Sequence, residues 1–177
     1  MKTALEHNIL EAPIVDAKKI ERAMKLINSI DLKMVKKKLM DEEEGQGWGE
    51  EYTNYVEKRY RRYLCMIVLN ENGSIVPTKN IDQFWHQHIL DTRAYAKDCQ
   101  SILGKFIHHF PYFGMRSEED AQDLLDSFEE TKEFYTRLFG EEYTKEFNDE
   151  SSSSKCHRCS SKCVKCSGGC TNTTKCK

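Results

Sequence analysis

Residues 76–90 read VPTKNIDQFWHQHIL, and this stretch predicts the helix around which the rest of the chain is arranged. Its apolar residues recur every three to four positions, which is the period of an α-helix with one buried face. Thr78 or Asn80 can start this helix, and Gly104 fits its C-terminal end. The sequence therefore predicts one continuous helix over about residues 79–103.

Two histidines of this helix, His86 and His88, are candidate metal ligands. At about 100° per residue, His88 lies on the apolar stripe, and His86 lies about 200° around the axis, nearer Asp82. Helices that bind one ion through two histidines usually space them by three or four residues, so a shared ion would need a distorted helix. Cys99 shares the stripe with His88, but about 16 Å along the axis separates them. The alternative is structural: a histidine on an apolar stripe is usually a hydrogen-bonded core residue, with Asp82 and Asp91 as natural partners here.

A second pair of candidate ligands, His108 and His109, follows the helix in an aromatic loop. If this loop folds back along the bundle, one of the pair approaches His88 or His86. A cluster such as His88, His109 and a carboxylate or thiol would suit zinc, copper or iron. The alternative is a pair that is exposed or packed among the aromatic rings of the loop.

Capping residues and helical spacing predict the other helices. Asp16 and Asp31 can cap the first two, and Ser117 begins a capping box for the last long one. The predicted helices span about residues 17–29, 32–40, 50–69, 79–103 and 118–139, with a short helical segment to Phe147. The inner face of the last long helix is predicted to contain Ala121, Leu124, Leu125, Phe128, Tyr135 and Leu138. The fold class is therefore all-α, a compact bundle of about five helices.

Composition limits the class of protein. The 177 residues suffice for one domain and a tail, and 38% hydrophobic with 32% charged residues is compatible with a folded core. No secretory signal is visible, and the longest apolar run, about residues 63–69, is too short to span a bilayer. We expect a cytoplasmic location, in which thiols stay reduced.

The C-terminal segment differs sharply from the body. A four-serine linker over residues 151–154 separates a helical domain over residues 1–150 from a cysteine-rich tail. Residues 155–177 hold six Lys or Arg and no acid, which leaves the rest of the chain with a net charge of −8. This charge can dock the tail, bind anions or offset metal-bound thiolates; equally, the lysines can simply keep a disordered tail in solution.

Six of the eight cysteines lie in this tail, two pairs of them spaced Cys-x2-Cys. Four thiolates form a tetrahedral zinc site and also suit copper(I). Only three residues separate the two pairs, so the pattern is closer to a metallothionein-like chelating strand than to a folded zinc finger. The alternatives are a disordered tail without an ion, disulfides, or lipidation. The candidate ligands in the tail are Cys156, Cys159, Cys163, Cys166 and Cys170.

The helix and its surroundings resemble the glycine-rich domain-containing protein-like family over roughly residues 15–115. The resemblance rests on Val76-Pro77, Asp82, Trp85-His86-x-His88, Tyr95, Asp98-Cys99 and Gly104, with Tyr60-Arg61-Arg62-Tyr63-Leu64 upstream. It implies a helical fold and no established catalytic activity. Plant members are proposed to bind RNA or to act in signalling, alongside a long glycine-rich tail. This chain has a cysteine-rich tail instead and no aromatic-basic motif of the RRM type, so nucleic-acid binding is not indicated.

These patterns favour a metal-binding protein that holds zinc or copper through its histidine-containing helix and its cysteine-rich tail. One alternative is a non-catalytic module that binds a protein partner. Another is a metal-dependent enzyme, in which Asp82 with His86, or His88 with Tyr95 and Cys99, would supply acid–base or nucleophilic groups. Neither a phosphate-binding glycine loop nor a Gly-x-Ser-x-Gly elbow is present, and the sequence leaves the enzyme question open.

Overall fold

Six α-helices and one π-helical turn form the part of the chain that the computed structural model describes, residues 16–70 and 73–147. Those two ranges contain no β-strand, which confirms the predicted all-α class. The α-helices are α1 (Ala17–Ile27), α2 (Lys33–Met40), α3 (Glu50–Leu69), α4 (Lys79–Leu90), α5 (Thr92–Asp98) and α6 (Glu118–Phe139), and the π-helical turn (Cys99–Leu103) directly follows α5. The predicted serine linker, the boundary at residue 150 and the tail cysteines lie outside the described residues.

The caps predicted at Asp16 and Ser117 form, whereas the N-cap residue of α2 is Leu32, one residue after the predicted Asp31. The side chains of Asp16, Asp31 and Ser117 each accept a hydrogen bond from a backbone N–H two or three residues later, at 3.0–3.1 Å. Gly104 and Gly140 adopt left-handed φ values of 73° and 66°, the conformation that ends helices at little cost for glycine. Local chemistry therefore accounts for most of the helix ends.

Helix α3 is the central element, because α1, α2 and α4 all pack against it. Arg61 ties α1 to it by donating to the carbonyl oxygens of Ile27 and Ile30, at 2.6 and 3.0 Å. These bonds hold the C-terminal end of α1 and the turn after it against α3. Arg62 binds the Glu141 carboxylate in a bidentate pair at 2.8 and 3.0 Å, which lowers the pKa of Glu141 to about 2 and joins α3 to the segment after α6.

The prediction of one continuous helix over residues 79–103 is wrong, because the chain leaves the helical conformation at Asp91. This residue has ψ 71°, and its carboxylate accepts a hydrogen bond from the N–H of Ala94, which caps α5. The break redirects α5, so that Asp98 contacts His88 ten positions earlier. In a straight helix those two residues would lie about 15 Å apart.

Two details of the C-terminal half also differ from prediction. Leu125 is 59% exposed, because adjacent helix positions point about 100° apart and Thr131 and Tyr135 carry the buried face of α6. Residues 141–147 form turns rather than a short helix. The buried Tyr143 anchors them by donating to the carbonyl of Val76 at 3.0 Å, a tertiary contact that a local pattern does not reveal.

None of the helices in the described ranges combines the length and the apolar character that a membrane span requires.

Candidate metal-binding site

The outer face of α4 carries the first two members of a cluster. Asp82 and His86 are spaced by four residues and therefore lie on the same side of the helix, as expected from the sequence. Nδ1 of His86 lies 2.8 Å from the backbone carbonyl oxygen of Asp82 and 3.3 Å from its Oδ2. The Nε2 atom on the other side of the ring forms no hydrogen bond with another described residue, and the His86 side chain is 50% exposed.

The loop after the π-helical turn brings in the third member, His109. A relay of buried hydrogen bonds anchors this loop: Trp85 Nε1 donates to the Tyr95 hydroxyl at 3.0 Å, and that hydroxyl donates to the Ile107 carbonyl at 2.6 Å. Ile107 itself is buried, two residues before His109. The tryptophan of the Trp-His-x-His motif thus holds the loop against α4.

The cluster places one carboxylate between two imidazoles. Nε2 of His109 lies 2.9 Å from Oδ1 of Asp82, and the ring centroids of His86 and His109 lie 4.3 Å apart. Potential ligand atoms of all three residues lie within 4.8 Å of one another. The His109 ring also packs on Trp85 at 4.7 Å and is only 17% exposed, so its position is restricted.

The chemistry of these donors suits a borderline divalent cation. Two imidazoles and a carboxylate form three-ligand zinc sites and the iron facial triad, in which other positions stay open for water or substrate. Without an ion, ring N–H groups donate to Asp82. A metal ion that binds to these nitrogen atoms would displace their protons. Its ligands would already lie close together before it binds.

His88 lies on the opposite, buried face of α4 and not in the cluster. Its Nδ1 lies 2.8 Å from the Tyr60 hydroxyl, and its Nε2 lies 3.2 Å from Oδ2 of Asp98. Burial lowers the pKa of His88, although the nearby Asp98 carboxylate opposes that shift. A neutral ring can donate from Nε2 to Asp98 and accept from Tyr60, so both nitrogens are occupied within the core.

The other histidine of the loop and the two cysteines of the described residues are not members of the cluster. His108 is exposed and packs beside Phe106, with ring centroids 4.8 Å apart. Cys65 and Cys99 are both buried, and burial raises the pKa of the Cys65 thiol to about 12, which makes it a poor nucleophile.

From the sequence, Asp82 is expected as a partner of His86 and not as a metal ligand. Its spacing of four residues from His86 is the signal that points to it as a ligand. The sequence also favours Asp91 rather than Asp98 as the partner of His88. No local signal reveals that pair, since it depends on the break between α4 and α5.

A cavity of about 680 Å³ adjoins the cluster. Asp82, Trp85 and His109 form part of its wall, and Pro77, Phe110, Pro111, Phe113 and Leu124 give much of the remainder an apolar character. A ligand bound to an ion at the cluster would therefore have room beside it.

Comparison with known proteins shows relatives of this helical region. The chain matches glycine-rich domain-containing protein 2 of Arabidopsis thaliana with 33% identity over 91 residues, and glycine-rich domain-containing protein 1 with 30% identity over 91 residues. Each match covers 49% of this chain and only 11% of the relative. No solved structure matches the chain. The family model described as UCP032817-like matches residues 22–130, well over half of the sequence and including the Trp-His-x-His helix. The chain therefore belongs to this UCP032817-like, glycine-rich domain-containing protein-like family.

Proposed function

We propose that this protein binds a divalent transition-metal ion, zinc first among them, through Asp82, His86 and His109. The observation that carries the proposal is the convergence of two imidazoles and a carboxylate, with ligand atoms within 4.8 Å, from two separate segments of the chain. The site includes no sulfur, which favours zinc over copper(I) at this position.

The cysteine-rich tail would provide a second and softer site. Its Cys-x2-Cys pairs allow neighbouring thiolates to reach one ion, zinc or copper(I), without a folded core. This part of the proposal rests on the sequence alone. The two sites are separable, because one uses imidazole and carboxylate ligands and the other uses thiolates.

The test is elemental analysis and zinc titration of the full-length, reduced protein. His109→Ala removes a cluster ligand, and His108→Ala is the matched control, since it removes the adjacent, exposed histidine. We expect His109→Ala to lose one equivalent of zinc and His108→Ala to keep it. Replacing the five candidate tail cysteines by serine should leave that equivalent in place and remove any second ion.

Equal zinc binding by both histidine variants would contradict a site at this cluster. If the unaltered protein bound neither zinc nor copper(I), the whole metal-binding proposal would fail. A non-catalytic protein-interaction module would then be the remaining alternative.

A metal-dependent enzyme is a second candidate, and the cavity beside the cluster is the observation that favours it. Asp82 and His109 line both the cluster and the cavity, so an open coordination position would face a space large enough for a small substrate. Cobalt(II)-loaded protein titrated with azide tests this point. A change in the visible spectrum is expected if the position is open, and an unchanged spectrum would indicate a closed, structural ion.

A further inference from the structure

A buried arginine lies at a second cavity, whose lining shares no residue with the cavity beside the cluster. Arg59 in α3 is 3% exposed, and its Nε has no hydrogen-bond partner. Among the described residues, no carboxylate forms an ion pair with it. A buried guanidinium without an anion is costly, so its environment requires an explanation.

Aromatic rings compensate part of this charge. The guanidinium carbon of Arg59 lies 5.3, 5.4 and 5.6 Å from the ring centroids of Tyr55, Tyr135 and Tyr143. Ring faces attract a cation, but they do not replace an oxygen acceptor for its N–H donors. Among the described residues, the Nε–H donor of Arg59 is therefore left without an acceptor, and Arg59 lines the cavity.

The N-terminus of α4 lines the same cavity through Thr78, Lys79 and Asn80. Thr78, the N-cap residue, forms no side-chain bond to the helix backbone. The first helical N–H to bond back to a carbonyl is that of Asp82, and the N–H of Ile81 is taken by the Asn80 side chain. The N–H groups of Lys79 and Asn80 belong to the first turn, which has no intrahelical acceptors and carries the positive end of the helix dipole.

The rim adds further positive charge and an apolar wall. Lys79 and Lys145 are exposed at the cavity, and Glu146 is the one acidic residue among the described residues that line it. The rings of Tyr52 and Phe147 pack edge to face at 5.5 Å and form part of the wall. The cavity measures about 550 Å³, which is more than a bare oxyanion fills.

We propose that this cavity binds a phosphate monoester that carries a small apolar group. The phosphate oxygens would accept hydrogen bonds from Arg59 and from the first N–H groups of α4, the arrangement by which helix N-termini bind phosphate. The apolar group would pack against Tyr52 and Phe147. Such a site goes beyond metal binding and uses none of the cluster residues.

The test is a titration of the full-length protein with phenyl phosphate and with phenol, followed by calorimetry and by amide NMR shifts. Lys79→Glu combined with Lys145→Glu reverses the charge at the rim without disturbing the core. Lys33→Glu combined with Lys37→Glu is the matched control, since both lysines are exposed on α2 and make the same change in net charge. Arg59→Lys tests the buried donor directly.

We expect phenyl phosphate to bind and phenol not to bind. The rim variant should weaken phenyl phosphate binding by about tenfold or more, since it reverses two charges beside the phosphate. Arg59→Lys should also weaken it, because lysine keeps the charge but loses the planar set of N–H donors that the guanidinium offers. The α2 control should change binding less than about twofold, because neither lysine lines the cavity and exposed charges are screened by salt. Binding should persist in His109→Ala, which separates this cavity from phosphate coordinated to a metal ion.

Absence of phenyl phosphate binding at millimolar concentration would overturn the proposal. Equal weakening by the rim and the α2 variants would also overturn it, since the binding would then be unspecific electrostatic attraction. Loss of binding in His109→Ala would assign the phosphate to the metal cluster instead.

Discussion

The two faces of α4 carry histidines of opposite character, although only Gln87 separates them in sequence. His86 lies on the outer face beside Asp82 and is half exposed, with one ring nitrogen left for a ligand. His88 lies on the inner face, where Tyr60 and Asp98 occupy both of its nitrogens. The two histidines of the Trp-His-x-His motif therefore do not face one shared site but lie in two different environments on one helix.

The physical cause is the rotation of about 200° between positions i and i+2 of a helix. The inner face packs on α3, and a buried histidine there costs free energy unless its polar atoms are paired. The outer face meets the loop that carries His109, and the imidazoles remain near the surface. His86 and His88 could exchange positions only if the whole of α4 rotated about its axis.

The largest expected effect on stability comes from His88→Ala. The substitution leaves the Tyr60 hydroxyl and the Asp98 carboxylate without their partner and creates a cavity, which together should lower the free energy of unfolding by about 3 kcal/mol. Urea denaturation measures this loss. His86→Ala should change stability by less than about 0.5 kcal/mol, as at other surface positions. A greater loss from His86→Ala would reverse the comparison.

The next effect concerns zinc affinity, for which His86 rather than His88 is expected to be the important residue. His86→Ala should weaken zinc binding at least about 100-fold. Loss of a residue that only hydrogen-bonds to a metal ligand typically lowers the affinity about ten- to a hundredfold, and loss of a ligand itself should cost more. Competition with a chromophoric chelator measures the change, and Gln87→Ala serves as the neighbouring control. Comparable affinities for these two variants would show that the outer face is not a metal site.

A smaller effect on stability is expected at Asp91, where the chain breaks between α4 and α5 and so brings Asp98 to His88. Asp91→Ala removes the side-chain cap of α5 and should cost about 1 kcal/mol of stability. Asp123→Ala, at an exposed position of α6, should cost less than about 0.5 kcal/mol. Denaturation midpoints compare the two, and equal values would mean that the cap does not hold the break.

The smallest effect is a pH dependence that belongs to His88. Its pKa is lowered in the folded state by burial, so the unfolded chain binds the proton more readily. Stability from this group is complete above the ordinary histidine pKa, about 6.5, and is lost as the pH falls from there toward the lower folded value. The stability advantage of the unaltered protein over His88→Gln should therefore be smaller at about pH 5 than at about pH 7.5. A difference that stays constant would mean that the buried ring does not titrate in this range.

Much of the fold could be predicted because its signals are local. The apolar period located the helices, and single capping residues such as Asp16 and Ser117 marked their starts. The errors occur where a distant contact overrides the local pattern. Asp91 interrupts an otherwise continuous helical pattern, and Tyr143 holds residues 141–147 in turns by bonding to Val76. About half of the candidate site followed from spacing, since Asp82 and His86 lie one helical turn apart.

By itself, the sequence determined the all-α class, most helix ends and the opposite orientation of the two α4 histidines, because these depend on helix geometry and on residues a few positions apart. Only the tertiary structure decided that His109 joins Asp82, from 27 positions away in the chain. That choice depends on the relay from Trp85 through Tyr95 to Ile107, which anchors the loop. The buried Arg59 at the N-terminus of α4 is likewise a product of packing, since contacts between distant segments leave no periodic trace in a sequence.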